Sequence, residues 1–288
     1  MKPSSILLLS CPDQKGVVAA IAEFVFRHGG NILHADEHGD DESNLFLMRV
    51  EFDAAEFDID FRDFTRHFSP VAEKFQMQWR LAHSNHRPRM VVMVSKYDHC
   101  LVDLLYRHRS GELRCEIPLI VSNHPDNQPI ADFYRIPYVT VTVPVPVPQD
   151  DKIGAEAKIL VLLKQQQPDF IVLARYMQIL SNDFIAHFPQ RIINIHHSFL
   201  PAFIGAKPYH QAFARGVKLI GATSHYVTEV LDDGPIIEQD VARVSHRDSI
   251  EDLLQKGRDL EKVVLARATR WHLENRVLLY GNKAVVFE

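Results

Sequence analysis

Two polar side chains stand where an apolar strand should end. Ile192 to His196 reads as a buried strand. Because strand side chains alternate between faces, its Asn194 and His196 point to the same side. An unpaired amide or imidazole in an apolar sheet costs roughly 1 to 3 kcal/mol, so the two either serve a site or bond to each other. Further on, Thr223 to Val227 reads as a second strand that runs into the acidic turn Leu231-Asp232-Asp233-Gly234-Pro235. If that turn lies beside the strand carrying His196, an amide, an imidazole and a carboxylate converge at one sheet edge. An imidazole titrates near working pH and moves protons, and an amide N–H can stabilise an oxyanion. Metal chemistry fits less well. His196 and His197 are adjacent and point to opposite sides of the strand, and His210 and His225 have no ligand spacing with them, so the 16 histidines predict no metal centre. Cys11, Cys100 and Cys115 are odd in number and lack C-x-x-C spacing, which predicts neither a disulfide framework nor a thiolate metal site.

The elements that must position these groups follow from pattern. The chain has 288 residues, enough for two domains. Its 46% hydrophobic, 24% charged and 9% aromatic residues describe an ordinary folded protein rather than a disordered one. A net charge of -5 supplies no basic field for nucleic acid or anionic lipid. The longest apolar stretches, such as Met90 to Val94 and Ile159 to Leu163, fall far short of a membrane span, and Ile6 to Leu9 is too short for a signal-peptide core, so a cytosolic protein is expected.

In the second half, the apolar runs Met90 to Val94, Ile117 to Val121, Tyr138 to Val143, Phe170 to Ala174 and Ile192 to Ile195 lack alternation. Helical segments such as Leu101 to His108 and Ala155 to Gln166 separate most of them. Continuous apolar strands alternating with helices predict a mostly parallel, Rossmann-like sheet covered on both faces, with ligands beyond the C-terminal strand ends. Pro144, Pro146 and Pro148 read as a stiff connector. Asp248 with Glu251 predicts a capping box before a long amphipathic helix reaching about His272. The polar stretch at 85–88 predicts a linker between domains at 1–84 and 89–288.

Ahead of that linker, Ser5 to Cys11 reads as a strand, and Val17, Ile21, Phe24 and Val25 mark a helix stopped by Gly29-Gly30. Strands over Asn31 to Asp36 and Leu45 to Val50, a helix over Phe57 to Phe68 and a strand over Phe75 to Leu81 complete a βαββαβ order. That order, with the Pro-Asp-x-x-Gly turn at Pro12 to Gly16 and Gly-Gly-Asn-Ile at Gly29 to Ile32, resembles the ACT domain, a ferredoxin-like regulatory module. The resemblance implies pairing between chains, hence a homo-oligomer (dimer or tetramer), and an amino-acid effector near Asp13, Gly16 and Asn31. Glycine and methionine are both candidates. The plainer reading is that Asp13 and Asn31 only cap a helix and a turn.

Asn-Ile-His-x-Ser-x-Leu-Pro at Asn194 to Pro201, followed by Val-Thr-x-x-x-Asp-x-Gly-Pro at Val227 to Pro235, resembles the folate-dependent formyltransferase family over about 200 residues. The resemblance implies Asn194, His196 and Asp232 as catalytic residues. It also implies folate contacts from Tyr176, Met177, Gln178, Ile179, Leu180, His197 and Ser198, although an Arg is common in the family where Gln178 stands. No cofactor or metal is implied, since 10-formyltetrahydrofolate is the substrate. Family members that formylate a phosphorylated amine carry a glycine-rich loop after the first strand. Here Ser95-Lys96-Tyr97-Asp98 stands instead, without glycine and with an acid that repels phosphate. The ACT-like module and the doubled His196-His197 resemble the branch of the family in which water is the acceptor. That implies hydrolysis to tetrahydrofolate and formate, with transfer to an amine as the alternative. His197, Phe199 and Phe203 are expected to shape a pocket too small for an amine. A non-catalytic folate or amino-acid sensor is the reading from outside enzymology, and turnover distinguishes it.

Overall fold

The structure is a computed structural model that describes residues 4–142, 149–202 and 208–288. The expected proline connector at Pro144, Pro146 and Pro148 and the expected pocket residue Phe203 lie outside those residues. The chain divides into two units, one of residues 4–86 with 274–280 and 285–288, the other of 87–273 with 281–284. No helix among the described residues is long and apolar enough to cross a membrane.

The first unit runs β1 (Ser4–Pro12), α1 (Val17–Arg27), β2 (Asn31–Asp40), β3 (Leu45–Asp53), α2 (Phe61–Phe75) and β4 (Gln78–His83). The strands form one antiparallel sheet in the order β2-β3-β1-β4. α1 buries Val17, Ile21, Phe24 and Val25, the stripe that its spacing predicts. It stops where Gly29 takes φ +75° and the Gly30 N–H returns to the Val25 carbonyl at 2.9 Å, a left-handed ending that glycine takes without strain. α2 begins later and ends later than its sequence pattern suggests. The Asp60 carboxylate caps it by accepting from the Arg62 N–H, and the stripe Phe64, Phe68, Ala72 and Phe75 carries it through Pro70. Phe57 and Phe75, expected in the helix and in the strand, instead pack on the core before the cap and end the helix.

The second unit continues with β5 (Arg89–Val94), α3 (His99–Ser110), β6 (Glu116–Ser122), α4 (Gln128–Tyr134), β7 (Tyr138–Thr140), α5 (Gln149–Gln166), β8 (Phe170–Ala174), α6 (Asn182–Ala186), β9 (Ile192–His196), α7 (Pro208–Arg215), β10 (Leu219–Tyr226), β11 (Ile236–Arg243) and α8 (Ile250–Leu273). The sheet order is β11-β10-β9-β8-β5-β6-β7, with β9 to β7 parallel and the last two strands antiparallel. The order reverses between β5 and β8, so the crevice beyond their C-terminal ends is where a ligand is expected. The capping box of α8 sits one residue later than expected. Ser249 Oγ accepts from the Asp252 N–H at 3.2 Å and the Asp252 carboxylate accepts from the Ser249 N–H at 2.8 Å, while Asp248 is taken up by Lys256 at 2.6 Å.

The C-terminal hairpin, β12 (Val277–Tyr280) with β13 (Lys283–Val286), departs from the expectation of one domain from 89 to 288. Leu278, Tyr280, Val285 and Phe287 pack on Ile6, Leu8 and Leu47 of the first unit. Those residues lie on the opposite side of β1 from Leu7, Leu9 and Cys11, which belong to the core of α1 and α2. β1 is therefore covered on both faces, which is why it reads as an unbroken apolar run.

Candidate active site

Asn194 and His196 occupy the end of β9, and β10 runs antiparallel beside it with His225 opposite Asn194 and Thr223 opposite His196. That register makes the first contact. The Asn194 amide donates to His225 Nε2 at 3.2 Å, and His225 Nδ1 donates to the Tyr226 carbonyl at 2.9 Å. A carbonyl can only accept, so the proton lies on Nδ1 and Nε2 is free to receive the amide. Burial holds the His225 pKa below the ordinary imidazole value, which keeps that neutral form.

After β10 the chain makes a tight excursion and returns. The Tyr226 N–H donates to the Pro235 carbonyl at 2.9 Å. At Gly234 a Cβ would lie 1.8 Å from the Tyr226 carbonyl oxygen, so only glycine fits. Asp232 takes φ +57°, a left-handed conformation that Asp adopts more readily than most residues. The turn delivers the Asp232 carboxylate to His196 Nδ1 at 3.2 Å and to His225 Nε2 at 3.8 Å. Burial pushes the Asp232 carboxyl upward, but the His196 hydrogen bond and the His225 and His197 rings outweigh it and hold it below the usual carboxylate range. His196 Nε2 is buried without a hydrogen-bond partner. The amide, imidazole and carboxylate singled out from the sequence therefore meet at one sheet edge.

They line a cavity of about 690 Å³ together with Tyr176, Met177, Gln178, Ile179, Leu180 and His197. Tyr176 and Leu180 root this loop in the core, whereas Met177 and Ile179 are exposed, as are Val230 and Leu231 across the opening. Such an apolar rim suits a flat, partly apolar guest. His197 is pushed down to about 4, first by burial and then by the Arg175 charge, so it is neutral at working pH.

Ser198 departs from the expectation. It is not a lining residue: its Oγ donates to the Ala202 carbonyl at 2.8 Å and its carbonyl accepts from Thr223 Oγ1 at 2.9 Å, so it braces the chain after β9. Phe199 likewise packs over Gly221 rather than lining the cavity. In the first unit the three expected effector residues do not form one group. Pro12, next to Asp13, pairs with Leu45, whereas Asn31 pairs with Asp53. At about 3.3 Å per residue this places Asn31 roughly 26 Å along the sheet from the Asp13 to Gly16 turn, because α1 carries the chain back before β2 begins.

Pattern reasoning missed His225, whose role depends on strand register. It also missed a buried polar group on the same cavity. Glu261 accepts from Tyr209 Oη at 2.9 Å, meets His99 Nε2 at 2.7 Å and lies 3.3 Å from Arg175 Nε. One signal was available: Glu261 falls on the buried stripe Leu253, Gly257, Val264, Leu265 of α8, where a carboxylate is unusual. His99, Cys100 and Glu261 also lie close enough together to suggest a metal site. However, Glu261 is already engaged by Arg175, and burial, followed by the Glu261 charge, pushes the Cys100 thiol well above its usual range, so the donor set does not suit a cation.

A doubly wound sheet with Asn, His and Asp at its edge, preceded by a four-stranded βαββαβ unit, defines the formyl transferase class joined to an ACT domain. Residues 88–269 match the formyl transferase family and residues 5–62 the ACT domain. A formyltetrahydrofolate deformylase of Synechocystis is 56% identical over 99% of this chain and 98% of its own length. The crystal structure of a formyltetrahydrofolate deformylase from Pseudomonas syringae superposes with a TM-score of 0.96 at 49% identity, covering 100% of this chain and 95% of that one. A glycinamide ribonucleotide transformylase from Symbiobacterium toebii follows at a TM-score of 0.66 and 29% identity, over 71% of this chain and 96% of its own. The chain belongs to the formyltetrahydrofolate deformylase family.

Proposed function

We propose that this protein hydrolyses 10-formyltetrahydrofolate to tetrahydrofolate and formate, with Asn194, His196 and Asp232 as its catalytic residues. The observation that carries the mechanism is the Asp232 to His196 Nδ1 contact of 3.2 Å, which leaves Nε2 without a partner. With its Nδ1 proton held by Asp232, His196 takes a proton from water through Nε2 as the water oxygen attacks the formyl carbon. The Asn194 amide, one hydrogen held by His225, offers the other to the developing oxyanion. The bond from N10 to the formyl carbon then breaks, N10 receives the proton from the imidazolium and formate leaves with a proton released to solvent. Asp232 stabilises the imidazolium in between. The folate ring lies against Tyr176 to Leu180 and beside His197. On this reading no metal or cofactor takes part, so a chelator should leave the rate unchanged. The same reading gives the Asp13 to Gly16 turn an amino-acid effector, glycine or methionine, and makes the protein a dimer or tetramer.

The purified protein should release formate from 10-formyltetrahydrofolate with no amine present. Formate or formylated product appearing only when an amine is added would favour transfer instead, and folate binding without turnover would favour a sensor. Asn194→Ala, His196→Ala and Asp232→Asn should each lower kcat by about 100-fold or more with a smaller change in KM.

A further inference from the structure

The cavity has two unlike linings. Met177, Ile179, Val230 and Leu231 give it an apolar rim suited to the folate. Elsewhere the lining is polar, a cluster of Tyr97, His99, Arg175, Tyr209 and Glu261 that begins where Tyr209 lies 6.3 Å from the His197 ring. With folate against the apolar rim, this polar cluster borders the space left in the cavity for an acceptor larger than water.

That cluster contains a group able to hold such an acceptor, since the buried Glu261 carboxylate could bind an ammonium or a hydroxyl. It is not available. One oxygen accepts from Tyr209 at 2.9 Å, the other meets His99 at 2.7 Å, and Arg175 lies 3.3 Å away, with its guanidinium over the Tyr97 ring at 5.3 Å. Two features show that the arrangement is built rather than incidental. Arg175 takes φ +63°, a conformation that glycine adopts freely and that costs a bulky residue strain. At Gly257, inside α8, a Cβ would lie 2.2 Å from Tyr209 Cζ, so glycine is what lets the Tyr209 hydroxyl reach Glu261.

We propose that Arg175, paired with Glu261 and braced by His99 and Tyr209, occupies the acceptor side of the cavity and selects water as the nucleophile. This inference rests on the hydrolytic reading above and adds the residues that decide it. Arg175 is a specificity determinant, not a catalytic residue, because it touches Glu261 and Tyr97 rather than the reacting atoms.

The test offers glycinamide, a small primary amine, together with 10-formyltetrahydrofolate. Formyl transfer to it forms the new C–N bond as the N10 bond breaks, and the proton the amine loses passes to N10. The wild-type protein should yield formate alone, with no inhibition by glycinamide. Arg175→Gly relieves the left-handed strain and uncovers Glu261. It should raise the ratio of N-formylglycinamide to formate at least about tenfold, with KM for the folate within about threefold of wild type. Gly257→Ala, which displaces Tyr209 without touching Arg175, should move the ratio in the same direction. The proposal is overturned if either folded variant partitions between water and glycinamide as the wild type does, or if the wild type itself formylates glycinamide or is inhibited by it. A wild type that releases no formate without an amine would instead overturn the hydrolytic reading.

Discussion

His196 and His225 lie side by side and do different work, and the difference is set by what each Nδ1 meets. In His196 it meets the Asp232 carboxylate at 3.2 Å, which leaves Nε2 as the free ring nitrogen. In His225 it meets the Tyr226 carbonyl, in a buried position that favours a neutral ring. Replacing His225 with Phe should therefore lower kcat by about tenfold with little change in KM, because Asn194 loses the acceptor that orients it. His225→Gln, which keeps an acceptor, should recover part of the loss in the same steady-state measurement. His197 supports a prediction of another kind. Its native pKa is pushed down to about 4 by burial and Arg175, while the unfolded ring titrates near 6.5. Between those values the unfolded chain binds a proton that the native protein does not. Stability should therefore fall as pH drops from about 6.5 to about 4, by up to roughly 3 kcal/mol from this group. Urea midpoints measured across that range should show the slope, and His197→Gln should flatten it. At this scale Asn194 and His196 were legible because polar side chains at the end of an apolar strand stand out, and the resemblance to the family's motifs singled out Asp232 in the acidic turn. His225, Arg175 and Glu261 were not, since their meaning comes from partners on other strands and helices.

The turn from Val227 to Pro235 shows how an element passes geometry to a residue. The Tyr226 carbonyl stands at its base, fixing the His225 tautomer on one side and facing Gly234 on the other. A methyl group at 234 would sit 1.8 Å from that oxygen, so Gly234→Ala must move either the carbonyl or the turn that carries Asp232. The expected result is a loss of roughly 1 to 3 kcal/mol in stability together with a kcat reduced by more than tenfold. Urea unfolding and steady-state kinetics measure the two effects, and a variant that lost stability alone would separate the turn from the site. Sequence pattern found β5, β6, β8 and β9 nearly to the residue, because each is largely buried and bounded by polar segments, whereas β7, a half-buried edge strand, is only Tyr138–Thr140 where Tyr138 to Val143 was expected. It placed the α8 capping box one position early, since Asp248 and Ser249 are both good caps and the choice is made by Lys256, about two turns into the helix, binding Asp248. It also grouped Asn31 with Asp13, since both belong to family-like turns, although the length of α1 carries them to opposite ends of the sheet.

On the scale of the whole chain, the last 15 residues are the part whose role could not be read from their position. They follow a catalytic-type domain directly, yet their apolar side chains belong to the first unit. The clue lay at the other terminus, where Ile6, Leu7, Leu8 and Leu9 allow no solvent-facing side for β1. A sheet with helices on one face needs a second cover when its central strand reads that way, and the β12–β13 hairpin supplies it. The same segment receives Arg49, which is 5% exposed and donates to the Asn275 carbonyl at 3.1 Å as well as to Glu51 at 2.9 Å. Ending the chain after Leu273 would expose Ile6, Leu8 and Leu47 and remove a partner from a buried guanidinium. Four packed side chains at roughly 1 to 2 kcal/mol each, plus the stranded charge, amount to a loss of about 5 kcal/mol or more for the first unit. That is enough to unfold a module of this size. The truncated protein should show an early thermal transition or dye binding to exposed apolar surface, and should lose any response to an amino-acid effector. If it melts as the full chain does, the hairpin is a passive appendage and the unbroken apolar run of β1 needs another cause.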